Sequence, residues 1–270
     1  MNIYIAVVSH GHRSLLKDLD CLPSLAKHDD ISVVVLDNIN DDGLRNWCLS
    51  NSLYYIGNSK PKGFGENNNS IFNWCEDKLN LEREDYFLLL NPDVFVECSS
   101  VLKLVERAKE QKSHLSTLNL YKDSSFSIYD PCVRDFPSFI DFFSSYLGMG
   151  NKTILGKSSI LSPREVDWAA GSFILFKASL FQELSGFDSG YFMYCEDIDI
   201  CWRANKLLKK KLMFYPDIKA IHYAQHANRS LFSMHFVWHV KSMFRYLTMF
   251  YGLRKPSPCV RVVVAPPQNG

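Results

Sequence analysis

Four short apolar runs restrict the folds open to this chain: residues 3–8 (IYIAVV), 31–36 (ISVVVL), 53–56 (LYYI) and 86–90 (YFLLL). They are rich in β-branched and aromatic side chains and do not alternate with polar ones, so each needs cover on both faces. Helical patterns separate them, first Leu15, Leu16, Leu19, Leu22 and Leu25, then Ile71, Phe72, Trp74, Cys75 and Leu79. Strands and helices in this order predict an α/β fold with a mostly parallel central sheet flanked by helices. Over residues 115–164 the pattern loosens around Pro131, Pro137 and Pro163, and reads as loop plus a short helix inserted within one domain. Strand and helix signals return in residues 172–187 (SFILFKASLFQELSGF) and 197–216 (DIDICWRANKLLKKKLMFYP). Residues 228–255 predict a C-terminal amphipathic helix, and residues 256–270 a tail.

Composition narrows the functional classes. A net charge of +1 gives no global case for nucleic-acid binding. Charge is unevenly spread, however. Residues 218–270 hold no Asp or Glu but carry Lys219, Arg229, Lys241, Arg245, Arg254, Lys255 and Arg261. The eight cysteines form no C-x-x-C pair, which argues against zinc and against a disulfide framework. The opening residues MNIYIAVVSHGH read as a first strand, not a signal peptide, and no stretch is long and apolar enough to predict a membrane span. The expected location is the cytoplasm.

Parallel sheets bind ligands beyond the carboxyl ends of their strands. The residues directly after each apolar run are therefore informative. Ser9, His10 and Gly11 follow the first run, and Asp37 and Asn38 the second. GNSKPKGFGENNN follows the third, and Asn91-Pro92-Asp93 the fourth. Each cluster alone suits an ordinary turn, but four on one edge suit a polar site of nucleotide size. GFGENN lacks the third glycine of a dinucleotide loop and follows the wrong strand, which removes a Rossmann dehydrogenase.

The densest chemical segment is residues 188–203, DSGYFMYCEDIDICWR. Asp199 and Arg203 stand four apart and predict an ion pair on one helix face. Glu196 and Asp197 fit either a helix N-terminus or a catalytic pair whose basicity rises with burial and repulsion. His222 ends another strand pattern, with His226 four residues on; a histidine can join an aspartate on Mn²⁺.

These motifs together resemble the family 2 inverting glycosyltransferases of the GT-A fold, in particular the bacterial O-antigen rhamnosyltransferases. The resemblance runs from residue 1 to about residue 250 through VVSHGH, VLDNINDD, GFGENNN, LLLNPDV, VDWAAGSFILFK, GFDSGYFMYCEDIDICWR and AIHYAQHANRS. It implies a GT-A domain over residues 1–227, with a nucleotide-binding half (1–115) and an acceptor and catalytic half (116–227).

By position, the resemblance implies that Ser9, Asp37 and Asn38 line the base and ribose pocket. Gly63, Gly65 and Asn68 would close a loop over the donor. Asn91 and Asp93 occupy the two ends of the family's Asp-x-Asp motif, with Asp93 and His222 as ligands of a divalent cation, Mn²⁺ or Mg²⁺. Trp168, Gly171 and Ser172 fall on the acceptor side, and Asp197 matches the general base with Glu196 beside it. Two positions depart from the pattern: Asn91 replaces the first aspartate, and Asn40 replaces the serine of the Asp-Asn-x-Ser-x-Asp element, while Asp42 keeps its last position.

The implied reaction moves rhamnose from dTDP-L-rhamnose to a polyprenyl-diphosphate-linked sugar, with N-acetylglucosamine expected, at the cytoplasmic face of the inner membrane. A UDP-hexose donor and an inactive scaffold subunit are the alternatives. The basic, aromatic C-terminal helix fits both an interfacial helix and one packed on the domain.

Overall fold

A computed structural model describes residues 1–224 and 234–257. The apolar runs fold as β1 (Ile3–Ser9), β2 (Ile31–Asp37), β3 (Tyr54–Gly57) and β4 (Tyr86–Leu90). They pair in parallel in the order β3-β2-β1-β4. β1, β2 and β4 are buried almost throughout, as runs without alternation require, while β3 is a half-exposed edge. Between them lie α1 (Arg13–Leu19), α2 (Cys21–Leu25), α3 (Asp42–Ser50) and α4 (Phe64–Leu79).

The chain continues through β5 (Val94–Phe95), α5 (Cys98–Glu110), β6 (Leu115–Tyr121), β7 (Val133–Arg134), α6 (Phe139–Tyr146), β8 (Arg164–Val166) and β9 (Trp168–Ala169). It closes with β10 (Phe173–Lys177), α7 (Ala178–Glu183), α8 (Glu196–Leu208), β11 (Leu212–His222) and α9 (Met234–Phe250). The main sheet runs β3-β2-β1-β4-β10-β6-β11-β5, with β8 also on β11, and β7 and β9 form a small second ladder.

One expectation is refined and another changes. The sheet is mostly parallel as expected, but β10 enters it antiparallel between β4 and β6. Its preceding residues, Gly171 and Ser172, already lie at the carboxyl end of β4, so the strand can only run back. Residues 115–121 are also not loop: β6 is a fully buried strand. Ser116, Thr117 and Asn119 conceal it in the sequence, yet each has a partner inside. Thr117 Oγ1 donates to the Phe173 carbonyl at 2.7 Å, and Asn119 Nδ2 to the Pro216 carbonyl at 3.3 Å. Ser116 Oγ lies 2.9 Å from Ser113 Oγ. Buried polar groups with partners carry little penalty.

The segment between α7 and α8 is held by buried charge. Arg203 Nε donates to Asp199 Oδ2 at 2.7 Å, and the Arg203 guanidinium also donates to the Leu184 and Gly186 carbonyls, both at 2.8 Å. Tyr191 donates its hydroxyl to Asp199 Oδ1 at 3.0 Å. Asp188, with no exposed surface, accepts from Arg245 at 2.7 Å and Arg254 at 2.8 Å. α9 is thereby pinned to the domain, burying Met243, Tyr246, Leu247 and Met249. One face of this helix packs on the domain and Arg245 is engaged internally, while Val237, Lys241 and Phe244 stay exposed.

Removing one partner of a buried pair leaves the other charge uncompensated. Arg203→Met is therefore expected to lower the unfolding free energy by about 3–5 kcal/mol, seen as a lower urea midpoint. An unchanged midpoint would show that the pair does not hold this segment.

Candidate active site

The carboxyl ends of β1 and β2 carry Ser9, Asp37 and Asn38, all buried. Asp37 organises the turn after β2, accepting from the N–H groups of Ile39 (3.1 Å) and Asp41 (2.5 Å) and from the Tyr55 hydroxyl (3.0 Å). Asn38 ties this turn to the next loop. Its Oδ1 accepts from Lys62 N (2.8 Å) and Asn58 Nδ2 (2.9 Å), and its Nδ2 donates to the Lys62 carbonyl (2.9 Å). Ser9 Oγ accepts from His12 N at 3.3 Å. Three of the four polar clusters thus share one network at the edge of the parallel strands.

Gly63 caps the N-terminus of α4, and Gly65 lies in its first turn. A side chain at Gly63 would collide with the Phe192 backbone, so glycine lets this helix start lie directly under residues 187–192. Gly65 packs on Phe187 in the same way. Asn68 is buried and donates back to the Phe64 carbonyl at 3.0 Å. The segment expected as a loop over the donor is a helix start packed against the segment that leads to Glu196 and Asp197.

Pro92 separates β4 from β5, and Asp93 stands in the intervening turn. β11 brings His222 alongside, pairing with Val94. His222 Nε2 lies 3.3 Å from Asp93 Oδ1, and its Nδ1 lies 3.1 Å from Asp130 Oδ2. Burial disfavours the imidazolium, but the Asp130 and Asp93 carboxylates outweigh it and hold His222 up to about 9. Burial also pushes Asp93 up, and His222 more than compensates, leaving it below the usual carboxylate range. The 3.3 Å approach is an ion pair without hydrogen-bond alignment, so Asp93 Oδ1 stays buried and without a hydrogen-bond partner.

The same turn connects to the carboxylate pair. Asn91 N donates to the Ser172 carbonyl at 3.0 Å, and the neighbouring Gly171 N donates to Asp197 Oδ2 at 3.0 Å. Gly171 packs closely here: a Cβ would come 3.0 Å from the Phe64 ring, which would have to shift slightly to admit it. Asp197 Oδ1 also accepts from Ile198 N at 2.8 Å. Trp168 is buried, its indole N–H donating to the Asp135 carbonyl at 2.9 Å, with the Arg134 guanidinium 5.3 Å from its ring centre.

Glu196 and Asp197 open α8, directly after Tyr194 and Cys195, whose φ values are 73° and 63°. Two consecutive non-glycine residues in the left-handed region are costly, and such strain gathers at functional sites. The two acids then separate in character. Glu196 is buried, and desolvation with the Asp197 charge pushes its carboxyl up to about 8. Asp197 is partly exposed; burial raises its carboxyl, opposed by the Gly171 and Ile198 N–H groups and by Arg134. Burial beside Asp197 thus favours the protonated form of Glu196, while the Gly171 and Ile198 N–H groups favour the ionised form of Asp197.

Among the described residues, seven buried side-chain polar atoms have no hydrogen-bond partner, and Asp93 Oδ1, Ser172 Oγ and Glu196 Oε2 are three of them. Such atoms are rare in native proteins, and the segments that carry these three are linked by the Asn91–Ser172 and Gly171–Asp197 hydrogen bonds. Asp130 and Arg134 escaped the sequence reading. Both sit in a segment read as loop, and neither belongs to a motif. His226 lies outside the described residues.

The mixed sheet flanked by helices has the GT-A fold. Rhamnosyltransferase WbbL of Escherichia coli (strain K12) is 42% identical over 247 residues, spanning 91% of this chain and 92% of that protein. The N-acetylglucosaminyl-diphospho-decaprenol L-rhamnosyltransferase of Mycobacterium tuberculosis (strain CDC 1551 / Oshkosh) is 26% identical over 237 residues, 83% of this chain and 76% of its own. The mannosyltransferase PcManGT from Pyrobaculum calidifontis, solved in complex with GDP-Man and Mn²⁺, superposes with a TM-score of 0.58 at 14% identity. That match covers 94% of this chain and 65% of the solved one, just under two thirds. No family model matches the chain. The chain belongs to the rhamnosyltransferase family that includes WbbL, and it is a glycosyltransferase.

Asp197→Asn is expected to lower turnover by about 10²–10⁴-fold, the usual worth of a general base. Glu196→Gln, which mimics the protonated acid, should keep most of it. A base acts only when ionised, so turnover should fall with decreasing pH along a limb lying above the ordinary carboxylate range. Steady-state kinetics across pH checks all three, and wild-type turnover in Asp197→Asn would remove the assignment.

Proposed function

We propose that this enzyme transfers L-rhamnose from dTDP-L-rhamnose, with inversion, to a polyprenyl-diphosphate-linked N-acetylglucosamine in O-antigen biosynthesis. The named activities of the two relatives support rhamnose as the sugar, and the mycobacterial name supports a lipid-linked acceptor. The observation that carries the reading is the set of buried oxygens without hydrogen-bond partners on Asp93, Ser172 and Glu196, together with the partly exposed Asp197.

In this reading Asp197 takes the proton of the acceptor hydroxyl as that oxygen attacks the anomeric carbon. The bond from that carbon to the diphosphate breaks, and the electron pair leaves with the diphosphate. A single displacement inverts the centre and needs no covalent intermediate. Glu196, holding its proton, offers a hydrogen bond to a substrate oxygen. Ser9, Asp37, Asn38, Gly63, Gly65, Asn68 and Asn91 form the donor side, and Trp168, Gly171 and Ser172 the acceptor side.

A divalent cation, Mn²⁺ or Mg²⁺, would be held by Asp93 and His222. Asp93 Oδ1 suits it as a buried oxygen facing an imidazole that Asp130 orients from its other nitrogen. Among the described residues no group of three or more His, Cys, Asp or Glu can cage a metal. One carboxylate and one imidazole are donors that suit Mn²⁺ or Mg²⁺. When bound, such a cation would supply charge neutralisation for a diphosphate leaving group.

Peripheral attachment to the inner membrane follows from the lipid-linked acceptor, and among the described residues no helix is long and apolar enough to cross a membrane. The test is a thermal-shift panel of nucleotide sugars. With Mn²⁺, dTDP-L-rhamnose at a hundredfold excess over its Kd is expected to stabilise by about 2.7 kcal/mol, a rise of several degrees. UDP-hexoses should give less, and Asp93→Ala should lose the Mn²⁺-dependent part. A larger shift with a UDP-hexose would replace the donor, and an unchanged Asp93→Ala response would remove the cation site.

A further inference from the structure

The short helix α6 is two-faced in an unusual way. Phe142 and Tyr146 face α9: the Phe142 ring lies edge-on to Tyr246 at 6.1 Å, and Tyr146 is hydrogen-bonded to His239. The other face carries Phe139, Ile140, Phe143 and Leu147, spaced three and four apart and between 48% and 72% exposed. The Phe139 and Phe143 rings stack along it, 6.4 Å apart and 13° from parallel. Met149, 62% exposed, follows in a tip where Gly148 and Gly150 both take left-handed φ. A capping box between Ser138 and Asp141 fixes the start of the helix, so this face belongs to a formed element.

A row of large apolar side chains held in water on a capped helix marks an interaction site. Its electrical setting selects the partner. No Asp or Glu occurs between Asp141 and Glu165, while Lys152 beside the tip is exposed. The adjoining α9 has no acidic residue and exposes Lys241 with Val237 and Phe244 on its outer face. With Asp141 engaged in the capping box, the exposed charges beside this apolar face are Lys152 and Lys241, and such a face complements an anionic lipid surface. Its place in the molecule agrees. The His239 ring that meets Tyr146 also meets Tyr194 at 5.1 Å, and Tyr194 stands two residues before Glu196.

We infer that α6 and the tip at residues 147–150 form a wedge that seats the enzyme on an anionic bilayer, with the carboxylate pair beside the surface that presents the acceptor. This rests on the lipid-linked acceptor proposed above, and it moves the contact from Arg245, which Asp188 occupies, to the apolar face of α6.

The test uses the full chain and vesicles of phosphatidylethanolamine and phosphatidylglycerol. The wild type should co-sediment, and Ile140→Ser/Leu147→Ser/Met149→Ser should bind at least about tenfold more weakly, since each side chain removed is exposed and apolar. The triple variant should melt like the wild type and transfer rhamnose equally well to a water-soluble, short-chain diphosphate acceptor. Lys152→Glu/Lys241→Glu should weaken binding to these vesicles. Equal sedimentation of the triple variant and wild type would overturn the wedge, as would a wild-type dimer that the triple variant splits without losing vesicle binding. Rhamnose transfer to the soluble acceptor without wild-type vesicle binding would remove the wedge alone. Vesicle binding without transfer to any acceptor would support the wedge and remove the proposed reaction.

Discussion

The active-site geometry depends on one buried knot of charge. Arg203 grips Asp199 and two carbonyls of the preceding segment, and Asp188 on that segment grips Arg245 and Arg254. Neither the Asp199–Arg203 pair nor the Asp188 carboxylate reaches solvent to any useful extent. Buried ion pairs contribute little net stability over apolar packing, but they tolerate few alternative arrangements once formed. Residues 186–195 run between these anchors, including Tyr194 and Cys195 in their left-handed conformations. Without fixed ends this segment would relax, and Glu196 and Asp197 would lose their direction.

The two acids at the head of α8 show how neighbours of the same chemistry come to differ. A helix N-terminus favours negative charge, yet Glu196 is driven towards its neutral form because it is buried beside Asp197. Asp197 escapes part of that cost through two backbone N–H groups and partial exposure. Gly171 N is one of those donors, and its neighbour Ser172 receives the N–H of Asn91. The strand end with Asp93 and the helix start with Asp197 are therefore joined by one short backbone link.

Much of this was legible in the sequence, for identifiable reasons. β1, β2 and β4 announce themselves because a strand covered on both faces has to be apolar throughout. Parallel pairing then puts Ser9, Asp37 and Asn38 on one edge, so their meeting follows from the fold class. The Asp199–Arg203 pair follows from helical spacing alone. β6 was hidden because Ser116, Thr117 and Asn119 find hydrogen-bond partners that only the folded sheet supplies. Asp130 and Arg134 were hidden for a related reason. Their positions depend on the pairing of β7 with β9 and on how residues 122–138 cross the site, and no local spacing encodes either.

The C-terminal basic segment shows where charge read along a chain misleads. Arg245 and Arg254 contribute to an acid-free stretch that resembles a lipid-binding edge, but their partner is Asp188, 57 and 66 residues earlier. Pairing over that distance is invisible to a local count. Once these two charges are spent internally, the exposed cations of α9 and the tip reduce to Lys241 and Lys152, each worth about 1 kcal/mol at an anionic surface. Two such charges are too few to hold a protein at a bilayer. Any durable attachment has to draw on apolar area, and the outer face of α6, with Phe139, Ile140, Phe143 and Leu147 exposed, supplies it.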